Sequence, residues 1–176
     1  FHWQGERAVA SVAQRFNTWF GISSLATVSI EEVGEKIKTP KLFQLYIHKD
    51  KGLNTSMVER CKAAKFDAIA LTVDTIVSGN RERCLRSGFT SPPRFTPESV
   101  LSYAIHPMWA LNYMFREKFS LPNLQTHVDA GTNVAVSVAE YFNTMLDTSM
   151  DWKMAAKVRS DWGGEFCLKG IMSVDD

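Results

Sequence analysis

An α/β fold built on a parallel sheet is what the sequence predicts, and three observations carry that prediction. Ala68 to Val73 is an apolar run of strand length, rich in Ile, Leu and Val, the pattern of a strand buried on both faces. Strand and helix patterns alternate along the first half of the chain, as a parallel sheet with right-handed crossover helices requires. Polarity changes abruptly where the apolar run stops: Thr72, Asp74 and Thr75 come first, then a Gly79 turn, then Arg81 and Arg83. A buried strand that ends in polar and charged groups is how a (β/α) barrel presents chemistry at its C-terminal mouth.

The elements follow in order. Gly5 to Phe16 carries Val9, Val12, Ala13 and Phe16 at helical spacing and predicts an amphipathic helix buried on that face. Trp19 to Ser23 reads as a short strand ending in Ser23-Ser24. The capping box Ser29-x-x-Glu32 opens a helix carrying Ile30, Val33 and Ile37, and Thr39-Pro40 stops it. Leu42 to Ile47 is the second strand, with Gln44 and Tyr46 on one face by period-2 alternation. That face lines a site, or else it is the wet side of an edge strand. Lys49 to Gly52 reads as a turn, and a helix from Asn54 to Lys65 buries Met57, Val58, Cys61 and Ala64 before the central apolar strand.

Residues 84–150 break the rhythm as a long insertion between the third and fourth strands. Pro92-Pro93 marks a loop, and Thr96-Pro97-Glu98 starts a helix with Pro at the first helical position. Residues 102–115 form a Met- and aromatic-rich patch bordered by Arg94, Arg116 and Lys118. This is an interfacial segment with a basic fringe, or a lid helix packed on its own barrel or on another subunit. Ser120 to Asn133 reads as polar, irregular and mobile. Thr148-x-x-Asp151 then opens a helix with Trp152, Ala155, Val158 and Trp162, and after Gly163-Gly164 the fourth strand, Phe166 to Ile171, carries Lys169 near its end. Ser173 to Asp176 is a further capping box. Four strands are about half of the eight in a closed barrel, so the expected fold is a partial TIM (β/α)8 barrel, one incomplete domain over residues 1–176. Open sheet edges make association of such a piece an expectation as well.

Composition narrows the classes of function. A net charge of +1 gives no support for a nucleic-acid partner. Cys61, Cys84 and Cys167 are odd in number and lack metal-ligand spacing, which reads as free thiols in a reducing compartment and as no metal site. No apolar run is long enough to span a bilayer, and neither a GxGxxG nor a P-loop pattern occurs.

Several runs carry a family resemblance: Gly-Ile-Ser-Ser-Leu-Ala-Thr-Val-Ser-Ile-Glu-Glu-Val (21–33), Phe-Gln-Leu-Tyr-Ile-His-Lys-Asp (43–50), Ala-Ile-Ala-Leu-Thr-Val-Asp-Thr (68–75), Gly79-Asn80-Arg81-Glu82, Trp-Lys (152–153) and Leu-Lys-Gly (168–170). Together they resemble the N-terminal half of the FMN-dependent α-hydroxy-acid dehydrogenases and oxidases, a family that includes L-lactate dehydrogenase, glycolate oxidase and mandelate dehydrogenase. The His106-Pro-Met-Trp-Ala stretch is similar to the long loop of membrane-associated bacterial lactate dehydrogenases.

The resemblance implies an FMN cofactor and a role for each site residue. Ser23, Gln44 and Thr72 would hydrogen-bond the polar edge of the flavin, and Lys169 would stabilise negative charge near its N1 and O2. Arg81 would hold the substrate carboxylate and Tyr46 would orient the substrate, with Asp74 as a support for Arg81 or another site residue. The family's general-base histidine, in a Ser-Asn-His-Gly-Gly motif, is absent, and it is expected beyond residue 176. His2, His48, His106 and His127 match no catalytic position and read as surface or structural. Leu25 stands where many members have Trp and Asn80 where many have Arg, so the resemblance leaves substrate size and local charge open.

The implied function is part of an FMN-dependent (S)-2-hydroxy-acid dehydrogenase that oxidises a 2-hydroxy acid to a 2-oxo acid, with this piece inactive by itself. The full-length protein is expected to be a homo-oligomer in the cytoplasm, with peripheral membrane contact at the inner face of the cell membrane through residues 102–118. Two other readings stand beside it: a non-catalytic, self-associating half-barrel, and another FMN barrel such as a type 2 isopentenyl-diphosphate isomerase.

Overall fold

The computed structural model describes residues 4–76, 82–86, 96–115, 120–124 and 144–175. In chain order they form α1 Glu6–Arg15, β1 Phe20–Ser23, α2 Ile30–Lys36, β2 Lys41–Leu45, α3 Lys51–Ala63, β3 Ala68–Thr72, α4 Glu82–Arg86, α5 Pro97–Ala104, α6 Pro107–Phe115, α7 Trp152–Trp162 and β4 Glu165–Lys169. The four strands make one parallel sheet in the order β1-β2-β3-β4. Each strand lies beside its predecessor, which is the sequence of neighbours that a (β/α) barrel builds.

The sheet has two unlike faces. Phe20, Ile22, Phe43, Leu45, Ile69 and Leu71 point to one of them and pack with Ala10 and Ala13 of α1, Val33 of α2, Met57, Val58 and Cys61 of α3, and Ala155, Val158 and Trp162 of α7. This is the core. Alternate residues point the other way, and most of them are open: Gly21, Glu165, Cys167 and Lys169 are exposed, and Ser23, Leu42, Gln44 and Tyr46 are half-buried. Of the two inner strands only β3 is buried throughout; β2 keeps Leu42 and Gln44 half-buried. Gly34 lets α2 approach the end of α3, because a Cβ there would lie 2.7 Å from the Cβ of Ala64.

Caps set the helix starts, and two of them differ from the sequence expectation. Ser29 Oγ accepts from the Glu32 N–H at 3.1 Å, as its capping box predicts. The third helix begins earlier than Asn54, because Asp50 Oδ1 accepts from the Gly52 and Leu53 N–H groups at 2.8 and 3.1 Å and turns the supposed turn into a first helical turn. The helix before β4 is capped by Asp151, which accepts from the Met154 N–H at 2.8 Å, so Thr148 is not its N-cap. Trp152 is exposed rather than buried.

Of the four residues on the first helix's expected buried face only Ala13 is buried, and the inward side is rotated toward Ala10. Val9, Val12 and Phe16 are exposed, while Ala10 and Ala13 are buried. Polar ties select that face. The Glu6 carboxylate accepts from the N–H and hydroxyl of Thr27. Arg7 makes a two-pronged ion pair with Glu32 at 2.6 and 2.8 Å, and Gln14 Oε1 accepts from the Lys38 N–H at 2.9 Å. Small alanines on this side allow the close approach that these bonds need.

Among the described residues, the long insertion is fastened to the sheet layer at two points. Asn123 is wholly buried; its Oδ1 accepts from the Ile30 N–H at 3.0 Å and its Nδ2 donates to the Val28 carbonyl at 3.1 Å. Arg60, paired with Glu31 at 2.6 Å, also donates to the Asn123 carbonyl at 3.2 Å. Residues 120–124 are therefore anchored rather than mobile, with Leu124 buried beside Asn123; residues 125–133 lie outside the described residues. Leu146 forms an antiparallel bridge with His48, flanked by Lys49 N–H to Met145 carbonyl and Asp147 N–H to Ile47 carbonyl bonds, both 2.9 Å.

Two measurements check this packing. Asn123→Ala removes the partner of a helix-terminal N–H and of a buried carbonyl, and it lowers stability by about 1–3 kcal/mol in urea unfolding. Burial holds the His48 imidazole down to about 4, against the opposing pull of nearby Asp50. The unfolded chain then takes up its proton first, so stability falls as pH drops from about 6.5 toward 4, by about 2 kcal/mol between pH 7 and 5. Glu32, held at about 2 by Arg7 foremost, adds its own loss only below about pH 4.5. His48→Gln flattens the upper limb and leaves the lower one.

Candidate functional site

Because the strands are parallel and in register, their C-terminal ends form one rim. Ser23 is the last residue of β1, Thr72 of β3 and Lys169 of β4, and Gln44 is the last but one of β2. Ser23 is the register partner of Gln44, and Thr72 of Lys169. Alternation puts all four, together with Tyr46, on the open face. The four strands thus bring five of the six predicted site residues to one end and one side of the sheet. The sixth, Arg81, lies outside the described residues, as do Gly79, Asn80, His2 and His127.

Gln44 organises the middle of this rim. Its Nε2 donates to the Thr72 hydroxyl at 2.9 Å and to the Tyr46 hydroxyl at 3.0 Å, joining three side chains from two strands. Thr72 is buried, and Gln44 and Tyr46 are half-buried, so the cluster opens on the uncovered face with its polar atoms already oriented. Ser23 Oγ accepts from the Leu25 N–H at 3.0 Å, which turns the chain away from the sheet. Lys169 brings an exposed cation to the same rim.

Asp74 sits just above β3, exposed, and lies over Gly170 at the end of β4. A Cβ at Gly170 would come within 2.7 Å of the Asp74 Cβ and Cγ, and the glycine adopts φ 113°, a conformation closed to side chains. Beside it the Val73 N–H donates to the Lys169 carbonyl at 2.9 Å. Sequence reasoning missed two participants here, Gly170 and Ser24. Ser24 is buried and bonded to both Gln44 and Tyr46. Its signal was the phase of the strand, which turns the second serine of the pair toward the core.

Neither described histidine is on this rim cluster. His48 is buried in the loop after β2, and its peptide group is bracketed by the Asn54 carboxamide at 2.9 and 2.7 Å. His106 is exposed between α5 and α6. Among the described residues, no group of three or more His, Cys, Asp and Glu side chains could hold a metal ion. The Met- and aromatic-rich segment folds as the α5–α6 pair. Tyr103 stacks on Trp109 with ring centroids 5.3 Å apart, while Leu101, Ile105, Met108, Met114 and Phe115 remain exposed. Those side chains are not packed on the chain's own sheet, as a closed lid would be. No helix among the described residues is long and apolar enough to cross a membrane.

This arrangement can hold a flat polar ligand edge-on between fixed hydroxyl, carboxamide and ammonium groups. The chain is similar to proteins of matching architecture. It is 32% identical over 174 residues to an L-lactate dehydrogenase of Vibrio parahaemolyticus and 33% identical to one of Azorhizobium caulinodans, in each case covering 98% of this chain and 45% of the relative. Among solved structures, the monotopic membrane protein (S)-mandelate dehydrogenase superposes with a TM-score of 0.86 at 26% identity, over 98% of this chain and 45% of that one. This chain therefore spans less than half the length of these relatives, and its four-stranded sheet is part of a TIM-barrel fold. The FMN-dependent dehydrogenase family matches residues 1–176 from end to end, and with the rim placed as described, the chain belongs to that family of FMN-dependent oxidoreductases.

Proposed function

We propose that the rim forms part of the flavin and substrate site of an (S)-2-hydroxy-acid dehydrogenase, most like L-lactate dehydrogenase, which oxidises a 2-hydroxy acid to a 2-oxo acid. The observation that carries the reading is the convergence of Ser23, Gln44, Tyr46, Thr72 and Lys169, from all four strands, on one face of one rim. The side-chain set fits FMN: the Thr72 hydroxyl and Gln44 carboxamide, prearranged by their mutual bond, and the Ser23 hydroxyl, held by the Leu25 N–H, match an isoalloxazine edge that carries both donors and acceptors. When bound, FMN supplies the two-electron acceptor for the substrate.

Each residue then has a physical task. Ser23, Gln44 and Thr72 orient the polar edge of the ring. Lys169 places its positive charge where negative charge grows on that edge. The Tyr46 hydroxyl, steadied by Gln44, faces the substrate oxygen, and Arg81 pairs the carboxylate through its two-pronged guanidinium. Proton removal from the substrate needs a base, and among the described residues no histidine reaches the rim: His48 is buried elsewhere and His106 lies between α5 and α6. By itself the chain is expected to hold FMN poorly and not to turn over.

Membrane contact belongs to the same reading. The α5–α6 pair exposes Leu, Ile, Met and Phe side chains, and the structural relative named above is a monotopic membrane protein. Contact through this pair places the protein peripherally at the inner face of the cell membrane.

Fluorescence titration with FMN tests the rim. Gln44→Leu and Lys169→Met each weaken binding by about tenfold, or ~1.4 kcal/mol, whereas Lys153→Met on the exposed side of α7 has no effect. Equal affinity in all four proteins would remove the assignment. Co-sedimentation with phosphatidylcholine–phosphatidylglycerol vesicles tests the membrane face. The triple change Leu101→Glu, Met108→Glu and Phe115→Glu lowers the bound fraction by about fivefold or more, and undiminished binding would exclude this surface.

A further inference from the structure

The β1–β2 ladder ends in a way that strand pairing alone does not require. Ser24, one residue beyond β1, donates its N–H to the Gln44 carbonyl at 3.0 Å, the regular next rung of a parallel ladder. The following rung would carry the Tyr46 N–H to the Ser24 carbonyl. Instead the Tyr46 N–H donates to the Ser24 hydroxyl oxygen at 3.1 Å, and that hydroxyl donates to the Gln44 carbonyl at 3.2 Å. Ser24 is wholly buried, so its hydroxyl is shielded from solvent at its end of these bonds.

The exchange of a side-chain oxygen for a main-chain one frees β1 to leave the sheet. Its chain turns at once, with the Leu25 N–H on Ser23 Oγ at 3.0 Å and the Ala26 N–H on the Ser23 carbonyl at 2.9 Å. The second strand's chain continues past that point with its Tyr46 N–H still satisfied. Gln44 remains paired with Ser23, and Tyr46 is thereby presented just past the point where β1 withdraws.

We propose that Ser24 is a positioning residue for the rim: its hydroxyl fixes the peptide groups on either side of Leu45, and so sets where Gln44 and Tyr46 meet each other and Thr72. Its consequence for cofactor binding rests on the reading of the rim given above. Alanine at this position leaves the Tyr46 N–H buried without its acceptor, a defect the strand relieves by shifting. Threonine keeps the hydroxyl.

Amide hydrogen exchange by NMR reads the Tyr46 N–H directly, and FMN titration reads the rim. Ser24→Ala is expected to speed Tyr46 exchange by about tenfold or more while the amides of Ile69 and Leu71 keep their protection. It weakens FMN binding by about tenfold and diminishes the shift of the visible flavin band on binding, a signal of ring surroundings rather than of global stability. Ser24→Thr restores all three. If the alanine variant does not fold, Ser24→Cys, with its weaker donor and acceptor, gives the same changes in smaller measure. Unchanged Tyr46 protection overturns the proposal, and so does wild-type FMN affinity with an unaltered band shift in Ser24→Ala. Failure of the unmutated chain to bind FMN overturns the reading of the rim instead, and the exchange measurement still decides whether Ser24 holds Tyr46.

Discussion

Parallel pairing in strict register is the constraint from which the rest of this molecule follows. It sends every strand in the same direction, so all four C-terminal ends lie at one rim, and it makes the side chains of neighbouring strands point the same way at each level. Helices seal one face with a continuous core and leave the other accessible. A residue near a strand end on the accessible face is then in reach of its counterparts on adjacent strands. The Gln44 carboxamide uses that proximity, spanning from its own strand to Thr72 on the next while holding Tyr46 two residues on. Gln44 and Thr72 sit within the strands themselves, which gives their pairing the rigidity of the sheet.

Much of this was legible in the sequence because it depends on short-range pattern. Strand positions followed from apolar runs, and the polar residues that interrupt those runs at their ends proved to share a rim. The Ser29-to-Glu32 cap appeared as its spacing predicts. What the pattern could not decide was which of two competing choices the tertiary context would favour. The first helix offers Ala13 with Val9, Val12 and Phe16 in one orientation and Ala13 with Ala10 in another. Hydrophobicity favours the former, yet ion pairs and hydrogen bonds to Thr27, Glu32 and Lys38 fix the latter. The Asp50 cap was hidden because Lys-Asp-Lys-Gly is also good turn chemistry. Ser24 was passed over because a serine at a strand end gives no local sign that its hydroxyl will replace a carbonyl.

The insertion shows the same division between local and tertiary control. Its polar middle read as irregular, but one asparagine supplies both the acceptor needed by the Ile30 N–H and the donor needed by the Val28 carbonyl. A single side chain thus completes the start of α2 and ties down a segment distant in sequence. The bridge between Leu146 and His48 does a comparable job at the end of β2. The α5–α6 pair, which precedes both fastenings in the chain, presents its apolar side chains outward.

Gly170 has an implication for how the protein can change over time. Its backbone angle and its contact with Asp74 exclude a side chain on separate grounds, so relieving one leaves the other in force. Drift at this position is blocked even where a neighbouring substitution makes room, and the end of the fourth strand is bound to evolve more slowly than the surface around it.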